Sequence, residues 1–321
     1  MINIAIIGFG VVGSAAYDVT IQNAGLIEKR VGDSIKVKKI LDIRDFDGHP
    51  AQGLLTKNFE DLTNDPTISI VIESMGGLRP AFEFTKAVLM SGKSVVTSNK
   101  ELVATHGQEL TDIAKQNKVS YLFEASVGGG IPIIRPLKQC LAANRINEIF
   151  GILNGTTNYI LTKMREERKP FAEVLKDAQE KGYAELNPAA DIEGYDTCRK
   201  MSILSWVAFG KSIEVEKIDR KGISDITAED IEKAKAAGSV IKLVGRAKLI
   251  DGEVQCTVAP EIIPLGDPLA IVDGVYNAIV VRGDFIGEAM FYGQGAGGKA
   301  TASAVMGDVI EIARTIVASR A

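Results

Sequence analysis

The densest run of residues able to do chemistry is Gly182-Tyr183-Ala184-Glu185-Leu186-Asn187-Pro188-Ala189-Ala190-Asp191-Ile192-Glu193-Gly194-Tyr195-Asp196, with Lys200 shortly after it. Asp196 and Lys200 are four apart, so on a helix they share one face near its N-terminal end. Glu185 and Asp191 lie on the loop leading in. Three carboxylates and a lysine converging there would suit a zwitterionic substrate that carries an ammonium group. Spacing alone favours a plainer reading of Asp196 and Lys200, an exposed ion pair worth roughly 0.3–0.5 kcal/mol. Histidine is the usual proton carrier, but the chain has only two. His49 stands beside Pro50 in a loop and His106 falls in a helix, and neither neighbours a polar cluster. Lysine is the better candidate, because burial and neighbours bring its pKa towards neutrality.

A second constellation stands at the N-terminus. Gly8-Phe9-Gly10-Val11-Val12-Gly13 matches G-x-G-x-x-G and sits between an apolar strand and a helix. Gly8 permits the tight turn, Gly10 lets the backbone approach a pyrophosphate, and Gly13 lets helix and strand pack closely. The helix N-terminus then offers N–H groups and the positive end of its dipole to the phosphates. The pattern alone is weak evidence; in this context it points to a dinucleotide. Asp42 or Asp45 would hold the ribose 2′-hydroxyl of NAD, whereas Arg44, with Lys57 as a second partner, would pair with the 2′-phosphate of NADP. A solvated loop is the alternative for all four, and is favoured for Asp45 and Lys57. The balance leans slightly to NADP through Arg44.

The elements that must position these groups follow from periodicity. Ile2 to Ile7, a short apolar run ending in glycine, reads as a buried parallel strand, and further strands read at Ile35 to Leu41, Ile68 to Ile72, Val95 and Val96, and Val119 to Phe123. Helices read at Val11 to Gln22, Pro80 to Met90 and Lys100 to Gln116. Strand alternating with helix implies a parallel sheet with right-handed crossovers. After Gly130 the pattern changes. Ile149 to Leu153 reads as a strand, 156–166 and 170–181 as helices, and Tyr195 to Phe209 as a long helix. Residues 240–292 are β-rich, and a helix runs from Ala302 to about Ser319. The expected architecture is α/β: a Rossmann-type dinucleotide-binding domain over residues 1–128, to which the helix at 300–321 returns. Residues 129–299 form an α+β domain for substrate, catalysis and dimerisation.

Bulk properties exclude other classes. In 321 residues the apolar share is 46%, the charged share 24% and the net charge −4, with both signs interspersed. No basic block of nucleic-acid type is present. Cys140, Cys198 and Cys256 form no C-x-x-C pair, so neither a disulfide framework nor a zinc site is expected. No apolar run reaches the roughly 18 residues of a membrane span, and the N-terminus reads as a strand, not a signal peptide. A cytoplasmic location is expected.

The stretch from Ala178 to Lys200 resembles the signature of homoserine dehydrogenases, A-x-x-x-G-hydrophobic-small, then N-P-x-x-D-hydrophobic-x-G-x-D-x-x-x-K, and meets every specified position. Thr97-Ser98-Asn99-Lys100, Glu124-Ala125-Ser126-Val127-Gly128-Gly129-Gly130-Ile131-Pro132 and Asn154-Gly155-Thr156-Thr157-Asn158-Tyr159 are similar to that family too. So is Gly293-Gln294-Gly295-Ala296-Gly297-Gly298 followed by Thr301-Ala302-Ser303, with Ala300 where the family often has proline. The matches run in order along essentially the whole chain.

The resemblance implies interconversion of L-homoserine and L-aspartate 4-semialdehyde with NAD(P), in threonine, methionine and isoleucine biosynthesis. It implies that Lys200 exchanges the proton at the reacting oxygen and that Lys100 bridges nicotinamide and substrate. Glu185 and Asp196 would hold the substrate ammonium with Asp191 nearby, and Thr156 would help bind the substrate. Gly76, Gly182, Glu185, Gly295 and Gly297 would border the cofactor with the glycine-rich turn. Glu124, Val127, Gly129 and Ile131 would ligate Na⁺ or K⁺, for which oxygen donors with one formal charge are suited; a glycine turn that only relieves strain is the alternative. A homodimer is expected, with residues 213–218 and 240–285 as its surface or else as an internal sheet. No C-terminal regulatory domain is expected, since the sequence stops at Ala321. The rival readings are a dehydrogenase of another small amino acid or semialdehyde, a non-catalytic dinucleotide sensor, and a thiol enzyme.

Overall fold

The computed structural model describes residues 1–320. Its strands are β1 (Ile2–Ile7), β2 (Ile35–Leu41), β3 (Leu55–Thr56), β4 (Ile68–Glu73), β5 (Ser94–Thr97), β6 (Tyr121–Leu122), β7 (Ile146–Ile152), β8 (Asp219–Arg220), β9 (Ser239–Ile250), β10 (Glu253–Pro264), β11 (Tyr276–Gly283) and β12 (Gly287–Gln294). Its helices are α1 (Val11–Gln22), α2 (Ala24–Val31), α3 (Glu60–Thr63), α4 (Ala81–Met90), α5 (Lys100–Gln116), α6 (Ile134–Lys138), α7 (Gly155–Glu167), α8 (Phe171–Glu180), α9 (Ala189–Ile192), α10 (Tyr195–Phe209), α11 (Ala228–Ala236) and α12 (Gly298–Ala318). Two units divide the chain: Met1–Gly130 with the stretch from Gly297 on, and Ile131–Ala296.

The first unit is a parallel sheet in the order β3-β2-β1-β4-β5-β6. Its central strands are buried on both faces, which is why they are near-continuous Ile and Val rather than alternating. The strand order reverses between β1 and β4, so the glycine-rich turn after β1 stands where such sheets bind their ligands. One face of the sheet is closed by α12, which contributes Ala302, Val305, Met306, Val309, Ile312 and Ala313 to the same core as Ile4, Ile6 and Phe9. Two elements of this unit differ from expectation. A separate helix, α2, follows α1 after Asn23, and a sixth, two-residue strand, β3, forms the edge beside β2.

The second unit is a mixed sheet in the order β12-β11-β7-β9-β10-β8. Its pairs are antiparallel except for β8 with β10. The β-rich stretch resolves into two long hairpins, β9–β10 and β11–β12, with β7 paired between β11 and β9. One sheet face buries Phe150, Ile152, Val244, Ile263, Ala278 and Val280. The other receives α10, and Gly245 on β9 makes that approach possible: a Cβ there would lie 2.6 Å from Met201 Cγ. The glycine thus seats the helix that carries Asp196 and Lys200 close against the strands.

Candidate active site

In the first unit the turn after β1 is built for close backbone approach. Gly8 has φ +86°, a conformation that side chains resist, and a Cβ on Gly13 would run into the carbonyl oxygen of Gly8. Gly10 caps α1 without a side-chain hydrogen bond, so the first turn of the helix presents its N–H groups at the turn. Arg44 stands beside it, its Nη2 3.8 Å from where a Gly10 Cβ would be. The phosphates of a dinucleotide fit this cradle on steric and electrostatic grounds.

Asp42 is not part of a solvated loop. It is buried, its Oδ2 accepts the Phe9 N–H at 2.6 Å, and its two oxygens accept Arg44 Nε at 2.9 Å and Nη2 at 2.8 Å. The Arg44 hydrogen bond is the main reason its carboxyl is held down at about 2. Both oxygens therefore serve the protein, one bracing the glycine turn. The Arg44 side chain remains largely exposed above the Phe46 ring. Asp45 and Lys57 form an exposed ion pair at 2.9 Å, the plain reading of that loop. His49 packs edge-on against Phe9, and its Nδ1 accepts the Ala51 N–H, while His106 stacks on Phe82; both are structural.

Gly76 lies in open space in the turn after β4. Lys100 begins α5, where Asn99 Oδ1 caps the helix by accepting the Leu102 N–H at 3.1 Å. Glu124 is buried in a 3-10 turn, and its backbone N–H donates to Asp308 Oδ2 on α12 at 2.8 Å. Gly128 and Gly129 follow with left-handed φ of 74° and 56°. Val127 is buried, and the chain enters the second unit at Ile131. No group of three or more His, Cys, Asp or Glu suited to a metal occurs among the described residues. The expected Glu124, Val127, Gly129 and Ile131 set is of a different kind, one carboxylate with backbone carbonyls.

In the second unit Lys200 and Asp196 are a buried pair, not the exposed one that spacing favours. Lys200 Nζ lies 2.7 Å from Asp196 Oδ2 and 2.6 Å from the carbonyl oxygen of Leu153, and both side chains are under a tenth exposed. A third residue joins them. Asn154 Nδ2 donates to Asp196 Oδ2 at 2.9 Å and to Asp191 Oδ1 at 2.7 Å. Its Oδ1 accepts the Thr157 N–H at 2.9 Å and so caps α7. One amide thus ties the end of β7, the start of α7 and the first turn of α10 together. Asn154 has no role in the motif's expected chemistry; the sequence signal for it is an N-cap asparagine, whose amide N–H groups need acceptors elsewhere.

Of the other expected substrate residues, Thr156 donates from Oγ1 to the Tyr183 carbonyl at 2.7 Å, fastening α7 to the turn at Gly182 (φ +74°). Glu185 is exposed on the following loop, its carbonyl accepting from Gln179, and its carboxylate makes no hydrogen bond to the lysine cluster. Gly295 is obligatory, because a Cβ there would collide with the Asn277 side chain, and Gly297 has φ +112°. Ala300 stands inside the first turn of α12, with no need of proline to begin it. Burial pushes the Cys198 and Cys256 thiols up to about 11 and 12, which removes them as thiolate nucleophiles.

Two family models together match most of the chain. Residues 8–124 match the model "Homoserine dehydrogenase, NAD binding domain", and residues 132–310 match "Homoserine dehydrogenase". The homoserine dehydrogenase of Helicobacter pylori is 44% identical over 98% of this chain and 74% of its own. A homoserine dehydrogenase structure from Thiobacillus denitrificans superimposes with a TM-score of 0.94 at 43% identity, over 99% of this chain and 74% of its own. A hyperthermophilic archaeal homoserine dehydrogenase in complex with NADPH does so with a TM-score of 0.82 at 31% identity, over 97% of each chain. The chain belongs to the homoserine dehydrogenase family, NAD(P)-dependent oxidoreductases that interconvert L-homoserine and L-aspartate 4-semialdehyde.

Proposed function

We propose that this oxidoreductase works with Lys200 as its proton carrier, held in register by Asp196 and Asn154, and that it favours NADP over NAD. The observation that carries the reading is the buried Lys200–Asp196–Asn154 cluster, to which the half-buried Asp191 is joined. The bound nicotinamide supplies or takes the hydride at the carbon that becomes alcohol or aldehyde. Lys200 then hands a proton to the oxygen of that carbon during reduction and recovers it during oxidation. Asp196 and the Leu153 carbonyl fix the direction of its Nζ, so the transfer needs no search for geometry.

Asp196 spends Oδ2 on the lysine and on Asn154, so its part is to orient Lys200 as well as to neutralise it. Glu185 and Asp196 are assigned to the substrate ammonium with Asp191 nearby, and Thr156 helps bind the substrate at the turn it fastens. Lys100, the first residue of α5, is assigned to bridge nicotinamide and substrate. Gly8, Phe9, Gly10, Val11, Val12 and Gly13 hold the pyrophosphate, and Gly76, Gly182, Gly295 and Gly297 border the rest of the cofactor.

Support for NADP comes from Arg44. Its guanidinium is exposed beside the glycine turn, while Asp42, the usual partner of an NAD ribose, is already saturated. The archaeal relative in complex with NADPH points the same way. Glu124 with the carbonyls of Val127, Gly129 and Ile131 is proposed to hold Na⁺ or K⁺, and the enzyme is proposed to act as a cytoplasmic homodimer. Among the described residues no helix is long and apolar enough to cross a membrane.

The test follows absorbance at the reduced-nicotinamide band with L-homoserine and NAD⁺ or NADP⁺ in parallel, for wild type and Lys200→Ala. Homoserine-dependent reduction, faster with NADP⁺ and reduced by a factor on the order of 10²–10⁴ in the variant, is the expected result. Undiminished turnover in Lys200→Ala would remove the lysine from its role.

A further inference from the structure

Glu73 closes β4 with its side chain fully buried, and burial pushes its carboxyl up to about 7. A carboxylate is rarely kept in such a place unless its oxygens are used. Here each has a donor on a different loop. Oε1 accepts the Met75 N–H at 2.8 Å, on the turn after β4. Oε2 accepts the Thr97 hydroxyl at 2.5 Å, at the end of β5.

Thr97 passes the connection on, its Oγ1 accepting the Asn99 N–H at 2.9 Å. Asn99 Nδ2 then donates to the Gly77 carbonyl at 2.7 Å, back on the turn after β4. Glu73, Thr97, Asn99 and Gly77 therefore close a ring whose last link is the chain from Gly77 back to Glu73. The ring ties together the turn that holds Gly76 and the loop that delivers Lys100 to the start of α5. It also reaches the glycine-rich turn. Ser74 Oγ donates to the Gly8 carbonyl at 2.7 Å, and a Cβ on Gly8 would lie 3.1 Å from the Met75 amide nitrogen.

We infer that Glu73 is a positioning residue for the cofactor: its carboxylate locks the turn after β4 to the loop after β5, and thereby fixes the Gly8 backbone, Gly76 and Lys100 relative to one another. It touches neither substrate nor reacting atoms. The inference rests on the assignment of Gly8, Gly76 and Lys100 to the cofactor given above. Several loops that must meet one rigid ligand need a common anchor, and a misplacement of about 1 Å is enough to cost on the order of a hundredfold in rate.

The variants are Glu73→Gln, which keeps the volume but replaces one acceptor oxygen by a donor, and Thr97→Val, which removes the hydroxyl at similar size. NADPH affinity is measured by the fluorescence of the bound nucleotide without substrate, and steady-state constants are measured alongside. Each variant should weaken NADPH binding about tenfold and raise the cofactor KM in step. The KM for homoserine, which Lys100 alone among these groups touches, should change less than the NADPH dissociation constant, and the double variant should be no weaker than the worse single one. A lowered active fraction would reduce kcat and leave the NADPH dissociation constant untouched, so the binding measurement separates positioning from damaged folding. Should Glu73→Gln fail to fold, Thr97→Val carries the test alone. Unchanged NADPH affinity in the folded variants, or losses that multiply in the double variant, would overturn the inference. If wild type binds NADPH but shows no homoserine turnover, the reading of the reaction fails while the Glu73 result still stands on binding.

Discussion

Replacing Asn154 by serine separates two jobs that one side chain performs. Serine is as good an N-cap as asparagine, so α7 keeps its start. It has no amide to span Asp191 and Asp196, so the hydrogen bonds of 2.7 and 2.9 Å are lost. Asp191 is only half-buried, and water replaces the amide there at little cost. Asp196 is 3% exposed and water does not reach it easily. A hydrogen bond to a charged group contributes about 1.5–3 kcal/mol, so nearly all of the loss falls on Asp196 and on the lysine it orients. If that loss is felt in the transition state, kcat/KM for homoserine falls by about ten- to a hundredfold. NADPH affinity should stay within about twofold. Asn154→Ala should match the serine variant in kcat/KM but melt lower, because the cap is lost as well, at about 1 kcal/mol. Initial rates with a thermal melt decide the matter. A serine variant within twofold of wild type would refute the bridging role. An alanine variant much slower than the serine one would move the credit from the bridge to the helix start.

Arg44→Ala removes the exposed guanidinium and releases Asp42, whose carboxylate then faces a ribose hydroxyl; the ratio of NADP to NAD efficiency should drop by at least tenfold, and an unchanged ratio in paired kinetics would reject Arg44 as the discriminator. Glu73 predicts a pH signature in stability. Its folded pKa, about 7, lies above the ordinary 4.5, so its contribution is fully present below pH 4.5 and is lost as pH rises towards 7. Over that window wild type should lose on the order of 3 kcal/mol relative to Glu73→Gln and hold level above it. Melts across pH 4.5–8 that show the opposite slope would mean that its hydrogen bonds outweigh burial.

Much of the frame could be read from residues alone, for a physical reason. Strands buried on both faces must be near-continuous apolar runs, and Ile2–Ile7 begins and ends where the sequence places it; so does Ile35–Leu41, whose apolar residues are interleaved with three lysines. Asn99 and Gly10 mark helix starts in the same local way. What escaped was set by partners distant in sequence. Nothing near Asp196 and Lys200 says that the pair is buried; that depends on Gly245, more than forty residues on, leaving room for α10. Glu73 reads as a polar stop to an apolar run, and only the strand order brings Thr97 to its carboxylate. Asp42 reads as a ribose partner until Arg44 folds back onto it. The β9–β10 hairpin did have a local signal, the Asp251-Gly252 pair with left-handed φ of 49° and 81°.

The return of α12 to the first unit constrains how the chain can be made. When Gly130 has been synthesised, the parallel sheet is complete in sequence but lacks the helix that contributes Val305, Val309 and Ile312 to its core. That helix is translated about 170 residues later, a wait of roughly ten to thirty seconds at 5–20 residues per second. Throughout it the nascent sheet lacks the apolar cover of α12, while the whole second unit is translated first. The nucleotide-binding half, first in sequence, is therefore the last to be sealed, and a ribosome that stalls inside the second unit leaves a species primed to aggregate. A circular permutant that joins α12 ahead of β1 would abolish the delay and keep the core that α12 shares with the sheet, at the cost of the Met1 ammonium–Asp33 ion pair.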